Sequence, residues 1–128
     1  MLLDEIAAYL DANTTLTSGV DLFAVETPPE PDACVSIHEY SGGGPQDTFG
    51  TASVYEILAL HVRARAQTYP AAMALADTVN ALLYAVTDTV IGGHLYHRIV
   101  AQGSWVVIDI DTKSRVTVKQ DFRVLRVP

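Results

Sequence analysis

Apolar residues recur along this chain with two different periods, one typical of helices and the other of strands. In residues 2–12 they follow the helical spacing of three and four positions, which predicts a short amphipathic helix. A longer stripe of the same spacing runs from Ala72 to Val86 and is rich in alanine. We expect this second helix to begin at Tyr69 and Pro70, because proline suits the first turn of a helix.

The remaining apolar segments are short or alternate with polar residues, which predicts strands over residues 20–25, 34–40, 55–65, 95–102, 105–111 and 115–127. In residues 55–65 the alternation directs three polar side chains to the outward face, namely His61, Arg63 and Arg65. In the last strand it directs Val116, Val118, Phe122 and Val124 inward, and Arg115, Thr117, Lys119, Asp121 and Arg123 outward.

Turn-forming residues separate these segments. Residues 27–32 hold three prolines and predict a rigid extended connection. Ser41 opens a polar, glycine-rich loop that we expect to run to about Thr51. Residues 87–93 lead out of the second helix, Gly103 separates the fourth predicted strand from the fifth, and residues 111–114 form a turn. The order α-β-β-β-α-β-β-β predicts one α+β domain over residues 1–128, a mostly antiparallel sheet with two helices packed on one face.

Composition adds three restrictions. The chain has 128 residues, of which 49% are hydrophobic, so it is long and apolar enough to bury a core. No apolar run reaches the length of a transmembrane helix, and the acidic start lacks the basic residues of a signal peptide. The single cysteine, Cys34, excludes an internal disulfide and suits a reducing compartment.

The net charge of −7 is unevenly distributed. Residues 1–62 hold ten acids and no Lys or Arg, whereas residues 63–128 hold eight bases and five acids. An acidic chain is a poor candidate for gripping the DNA backbone. If the two halves lie on different surfaces, copies of the chain attract one another head to tail.

No pattern of catalytic or metal-binding residues stands out. His94 and His97 fall on opposite faces of a predicted strand, and no second metal-binding motif accompanies them. Asp109 and Asp111 share one strand face, but no base or nucleophile pairs with them, so a solvated strand end is the better interpretation. The sequence therefore predicts an interaction protein with no catalytic residues, no cofactor and no metal.

Four segments in order resemble the minor capsid and tail-terminator proteins of long-tailed bacteriophages, which include those of the lambda type. They are LLDEIAAYL, PPEPDACVSIHEYSGGGP, LALHVRARAQTYPAAMALADTVNALL and DIDTKSRVTVKQDFRV, and together they cover nearly the whole chain. One departure is Ser114, where the turn before Arg115 would be expected to hold glycine.

The resemblance implies a small α+β structural protein of the virion, assembled in the host cytoplasm. Such proteins form a homo-hexameric ring that caps the tail tube, stops its polymerisation and offers a docking surface to the head-completion proteins of the neck. DNA passes through the lumen without specific binding, and no membrane takes part. The acidic half of the chain would then line the lumen or one side of each subunit.

Two sets of contact residues follow as hypotheses. Bases on outward strand faces would meet the acidic side of the neighbouring subunit: Arg63, Arg65, Arg115, Lys119 and Arg123. The glycine-rich loop, through residues 41–53, would become ordered on contact with the tube or a neighbour. Its contact residues would include Gly42, Gly43, Gly44, Asp47 and Phe49.

Three alternatives remain open at this stage. The chain would also suit another head–tail connector or head-completion protein. A soluble binding domain outside phages, or a partner in a toxin system, is a different class that the charge pattern allows. An enzyme ranks third, because it rests on Asp109 and Asp111 alone.

Overall fold

The computed structural model describes the backbone of residues 2–47 and 54–127, and the side chains of residues 2–39 and 56–127. Within these ranges the helices are α1 (Leu2–Asn13) and α2 (Tyr69–Tyr84). The strands are β1 (Leu22–Ala24), β2 (Cys34–Asp47), β3 (Val54–Ala66), β4 (Thr87–Ile91), β5 (His94–Ile110) and β6 (Val116–Arg126). Neither helix is long and apolar enough to cross a membrane.

The six strands form one sheet in the order β1-β2-β3-β6-β5-β4. Strands β1 and β2 are parallel, and every other neighbouring pair is antiparallel. The last strand, β6, inserts at the centre of the sheet between β3 and β5. This confirms the predicted α+β class with a mostly antiparallel sheet. The strand order also places the strands of residues 1–62, which hold no Lys or Arg, at one side of the sheet. Most strands of residues 63–128, which hold all the Lys and Arg, lie at the other side.

Both helices contribute to one apolar core against the same sheet face. The sheet side of this core includes residues directly paired across β2, β3 and β6, such as Val35, Ala64 and Val118. Helix α2 presents the small side chains of Ala72 and Ala76 to it, which lets the helix approach the sheet closely. Most of these side chains have almost no exposed surface, so the predicted inward faces of the strands are confirmed.

The start of α2 also matches the prediction. Thr68 caps the helix, because its hydroxyl oxygen accepts a hydrogen bond from the amide of Ala71 at 3.2 Å. Pro70 follows in the first turn, where its missing N–H leaves no intrahelical bond unmade.

The predicted strands differ from the structure at three places, and backbone geometry explains each. Residues 87–91 form β4 rather than a lead-out segment, since Gly92 and Gly93 adopt positive φ values of 60° and 85° and turn the chain into β5. Strand β5 is continuous through Gly103, whose φ of 85° accommodates a bulge instead of a turn. The residues between Gln102 and Val106 have no partner on β6 in this bulge.

The third difference lies in the predicted glycine-rich loop. Strand β2 continues through Gly42, Gly43 and Gly44 as far as Asp47, and Gly44–Asp47 pair with Ile57–Val54 after an irregular stretch. The loop prediction is therefore wrong up to Asp47, because glycine-rich backbone can pair in a sheet where its side chains give no periodic signal. Phe49 and the rest of residues 48–53 lie outside the described residues.

Helix α1 contacts β1 and β4, the strands at opposite edges of the sheet, so the sheet curls around it. The acid Glu5 makes this closure specific. Its carboxylate bonds to His94 Nδ1 at 2.8 Å, accepts the hydroxyl of Tyr96 at 3.0 Å and pairs with Arg126 at 3.2 Å. Arg126 in turn pairs with Glu56 at 2.8 Å. A buried carboxylate thus joins α1 to β5, β6 and, through Arg126, to β3.

Gly92 fits against this carboxylate. A Cβ atom at position 92 would lie 2.6 Å from Cγ of Glu5, closer than real Cβ contacts allow. Gly92 also has a positive φ of 60°, so glycine serves both the turn conformation and the space that Glu5 occupies.

We predict that Glu5→Gln lowers the free energy of unfolding by about 2–4 kcal/mol, because Arg126 loses a buried charged partner. The control is Asp4→Asn, which removes the same charge from an exposed neighbouring position. Urea unfolding of both variants measures the difference. Equal losses in the two variants would contradict the role of the Glu5 network.

We also predict that Gly92→Ala destabilises the fold more than Gly93→Ala does, by about 1–2 kcal/mol. Both glycines have positive φ, but only Gly92 would place its Cβ against Glu5, while nothing lies within 4 Å at Gly93. The pair therefore separates the steric clash from backbone strain in thermal unfolding. Two equal losses would show that the space beside Glu5 is not limiting.

Candidate functional site

The face of the sheet opposite the helices, here called the outer face, carries polar side chains in rows across neighbouring strands. One row joins Ser36, Arg63, Lys119 and Val106, and the next joins His38, His61, Asp121 and Gln102. Because directly paired residues of a sheet share a face, these rows follow from the register alone. The outer face is where the structure brings together most of the bases that the sequence suggested for a subunit contact.

Two of those bases are not on an open surface. Arg65 and Arg115 are each only 6% exposed, so neither has the open position on an outward strand face from which the sequence led us to expect contact with a neighbour. Arg65 donates to the carbonyl oxygen of Pro31 at 2.7 Å, and Arg115 donates to that of Pro29. Both side chains hold the proline-rich segment against the end of the sheet, because its carbonyls need donors and proline supplies none.

Arg115 also fixes the turn that precedes β6. Its guanidinium pairs with Asp111 at 2.8 Å and with Asp32 at 3.2 Å. The second oxygen of Asp111 accepts the amides of Lys113 and Arg115, each at 3.0 Å. These bonds, led by the one from the Arg115 amide, lower the pKa of Asp111. Asp111 is therefore an ionised turn residue, as the sequence indicated.

Ser114 adopts a φ of 60° in the same turn. This is the left-handed conformation that glycine accepts most easily. Ser114 therefore takes the geometry for which glycine was expected.

Several acids of residues 1–62 form ion pairs with bases of residues 63–128 inside the subunit. Bases of the second half bond to acids of the first half in the pairs Lys113–Glu30, Arg115–Asp32, Arg126–Glu5 and Arg126–Glu56. These ion pairs therefore connect the two halves of one chain. Arg115 is not available to a neighbour, because its guanidinium is already paired with Asp32 and Asp111 in the same subunit.

Among the described residues, four arginines have no ion pair. One is the buried Arg65, and the other three are Arg63, Arg98 and Arg123. These three lie on the outer face. Arg123 is two residues beyond Asp121 on β6 and shares its face, and Arg98 pairs with Leu125, which is two residues further along the same strand. Arg98 was not among the bases that the sequence suggested for a subunit contact, although it lies in the predicted strand of residues 95–102. Lys119 lies in the same area and pairs with Asp121 at 3.3 Å.

The helical layer has the opposite charge. Helix α1 contains Asp4, Glu5 and Asp11, helix α2 contains Asp77, and neither helix contains Lys or Arg. Asp4, Asp11 and Asp77 are exposed. The subunit therefore presents an acidic helical side and an outer face that carries unpaired bases.

A small cleft of about 170 Å³ opens on the outer face between Arg63 and Asp109, above Thr117. The Nε atom of Arg63 is buried there and has no hydrogen-bond partner within the described part of the chain. Buried donors in proteins are nearly always paired, so this atom is open to an acceptor supplied by water or by a partner. Asp109, which was one of the two carboxylates considered for chemistry, forms the other wall of this cleft.

The end of β5 is the second unusual surface. Val106, Val107, Ile108 and Ile110 are between 41% and 64% exposed. Strand β4 pairs only with residues 94–98 of β5, so no described strand covers the backbone edge of residues 99–110. A continuous apolar run is typical of a strand buried on both faces, and this was the sequence signal that could have identified the surface.

The histidines do not form a metal site in the described part of the chain, where no group of three or more His, Cys, Asp or Glu residues is arranged to hold an ion. His97 bonds to Asp88 at 2.5 Å, and His94 bonds to Glu5. His38 and His61 stack on the outer face with ring centroids 4.7 Å apart. Cys34 is buried, and this burial raises the pKa of its thiol.

The stacked histidines titrate abnormally. Burial, followed by the charges of His61 and Arg63, lowers the pKa of His38 to about 4. Burial and the charge of Arg63 also lower the pKa of His61. The neutral pair therefore lies among bases on the outer face without adding to their charge at neutral pH.

From this we predict that the protein loses stability as the pH falls from about 6.5 to about 4. In that range His38 binds a proton in the unfolded chain but not in the folded chain, and this difference favours unfolding. We expect it to lower the free energy of unfolding by about 2 kcal/mol, because partial solvent exposure of His38 reduces the effect. Urea unfolding at several pH values measures the slope, and His38→Gln should flatten it. An unchanged slope in that variant, or a His38 NMR titration midpoint near 6.5, would contradict the prediction.

Comparison with known proteins identifies the family. A solved structure of the virion of a native gene transfer agent particle contains a chain that shares this fold with a TM-score of 0.59 and 14% sequence identity, over 96% of this chain and 84% of that one. Another solved structure matches with a TM-score of 0.56 and 14% identity, over 99% of this chain and 90% of its own. No curated protein sequence matches significantly. The family model for the bacteriophage tail terminator protein matches residues 9–125, and the chain therefore belongs to that family.

Proposed function

We propose that this protein is the subunit of a homo-hexameric ring that caps the phage tail tube, stops its polymerisation and joins it to the head-completion proteins of the neck. The observation that carries the proposal is the tail-terminator family match over residues 9–125. Membership of this family makes the chain a structural phage tail protein. We assign it no catalytic activity, and we place its assembly in the host cytoplasm as a single domain.

The distribution of charge supports a head-to-tail contact between copies. A ring needs two different, complementary surfaces on each subunit. Such a pair is supplied by the bases Arg63, Lys119 and Arg123 of the outer face and by the acids of residues 20–47, of which Glu26 and Glu39 are exposed. Arg98 joins this set, whereas Arg65 and Arg115 support it only indirectly, because they hold the proline-rich segment inside the subunit.

The same distribution suits a channel through which DNA passes. Acidic side chains repel phosphates, so acids directed at the lumen let DNA slide without specific binding. The exposed acids of the helices, Asp4, Asp11 and Asp77, are the residues we assign to this role.

Contact with the tube protein or with a neighbouring subunit is assigned to the β2–β3 hairpin. Gly42, Gly43, Gly44 and Asp47 lie in β2, and Phe49 follows them in the chain. Small residues leave the backbone of this hairpin accessible to an incoming protein surface. The hypothesis that residues 41–53 order on contact therefore now concerns the tip beyond the paired part of the hairpin.

We predict that Arg123→Glu weakens ring formation and that Arg63→Glu combined with it abolishes the ring. Arg123 is exposed and unpaired, so its reversal puts like charges in contact without disturbing the fold. Lys113→Glu is the control, because it makes the same charge change at an exposed base in the turn. Native mass spectrometry over a concentration series gives the subunit concentration at half-assembly, which should rise about tenfold or more for Arg123→Glu alone.

The control and the salt dependence complete this test. Lys113→Glu should assemble like the wild type, and salt should weaken the wild-type ring because it screens exposed charges. Intact hexamers of the double variant at wild-type concentrations would overturn the charge contact. A wild-type chain that stays monomeric even with tube protein present would overturn the ring itself.

A further inference from the structure

We infer that the free edge of β5 is the strand-pairing surface between copies of this chain, and that β2 of the neighbouring copy adds to it in antiparallel orientation. The inference rests on the proposed ring and names the surface through which its subunits join. It begins from residues 99–110 of β5, whose outer backbone edge no described strand covers.

This edge contains bulges, but it lacks the other features with which proteins usually protect exposed strands. Edge strands are commonly short, charged or interrupted by proline, so that they do not pair with other chains. Residues 99–110 contain no Lys, Arg or Pro, and Asp109 is their one charged residue. Val106 and Ile110 are 52% and 64% exposed, so both the apolar side chains and the backbone of this edge are open to contact with another chain.

The sheet order supplies a complementary edge on the same chain. Strand β1 pairs only with residues 35–37 of β2, which leaves the later part of β2 free on that side within the described backbone. The free part of β5 and the free part of β2 lie at diagonally opposite corners of the sheet. Following the strand directions across the sheet, β5 and β2 run in opposite senses. A copy in the same orientation, shifted along the strands so that its β2 residues beyond Ile37 reach the level of residues 99–110, therefore meets β5 with an antiparallel β2.

Charge favours the same pairing. Residues 20–47, which include β1 and β2, hold six acids and no base. On the receiving copy, Arg98, Lys119 and Arg123 lie next to the edge of β5 on the outer face. The cleft beside Asp109 adds a buried donor, because the Nε of Arg63 has no hydrogen bond within the described part of the chain and can bond to an acceptor atom of the neighbour.

Because the two edges differ, this contact is heterologous and produces a ring or an open chain of subunits rather than a two-fold dimer. It also explains why the apolar run at the end of β5 is exposed in a single subunit, since the neighbour buries it.

Hydrogen–deuterium exchange of the full chain, compared between dilute monomer and assembled ring, tests the pairing. In the ring, alternate amides of residues 99–110 that point away from β6 should exchange at least about tenfold more slowly than in the monomer. Ile110→Lys should raise the concentration for half-assembly about tenfold while leaving the melting temperature of the monomer unchanged. The control is Val90→Lys, which places the same charge at an exposed valine of β4 and should assemble normally.

The outcomes separate this inference from the proposed function. Rings that form without added protection of residues 99–110 overturn the strand pairing and leave the ring standing. A two-fold dimer joined through β5 overturns the assignment of β2 as the partner strand. Protection that appears only with tube protein, without self-association, overturns both the second copy as occupant and the ring formed by this chain alone.

Discussion

The carboxylate of Glu5 is the interaction on which the rest of this structure depends. It lies on α1, yet its partners are His94 and Tyr96 on β5 and Arg126 on β6. A carboxylate placed in a core is costly unless charge and hydrogen bonds compensate it, and here both do. The sheet can curl around α1 because this side chain satisfies polar groups from the strands that would otherwise be buried without partners.

That closure decides what the two surfaces of the subunit look like. With both helices on the inside of the curl, their exposed acids form one side and the outer face of the sheet forms the other. The proline-rich segment then covers one end of the outer face, because Arg65 and Arg115 hold its carbonyls. What remains open is a set of bases without partners and an apolar strand end, features that a single folded subunit does not require for its own stability.

Burial of Tyr96 belongs to the same network. Its desolvated hydroxyl has a pKa raised to about 12, so it stays a neutral donor to Glu5. Arg126 lies 5.8 Å from the centre of the Tyr96 ring and holds both Glu5 and Glu56. The last strand is therefore fixed at the centre of the sheet by charge as well as by backbone pairing.

Much of the architecture was predictable because it depends on local patterns. The periods of apolar residues identified both helices, the strand containing Arg63 and the inward face of β6, since burial of one face imposes these periods. The pattern was weak where backbone conformation decided the outcome. The short strand β4, the bulge at Gly103 and the continuation of β2 through its glycines depend on φ values and pairing that side-chain periodicity does not record.

The candidate site shows the same division. Alternation correctly placed Arg63, Lys119 and Arg123 on one face, but it could not show that Arg65 and Arg115, which it also directed outward, are buried. Their burial depends on a segment 34 residues away from Arg65 and 86 residues away from Arg115, and no local pattern carries that information. The sequence by itself determined both helices and most of the strands, the family and the uneven distribution of charge. Only the tertiary structure decided which of those charges bond within the subunit and which remain for a neighbour, because that depends on contacts between residues far apart in the chain.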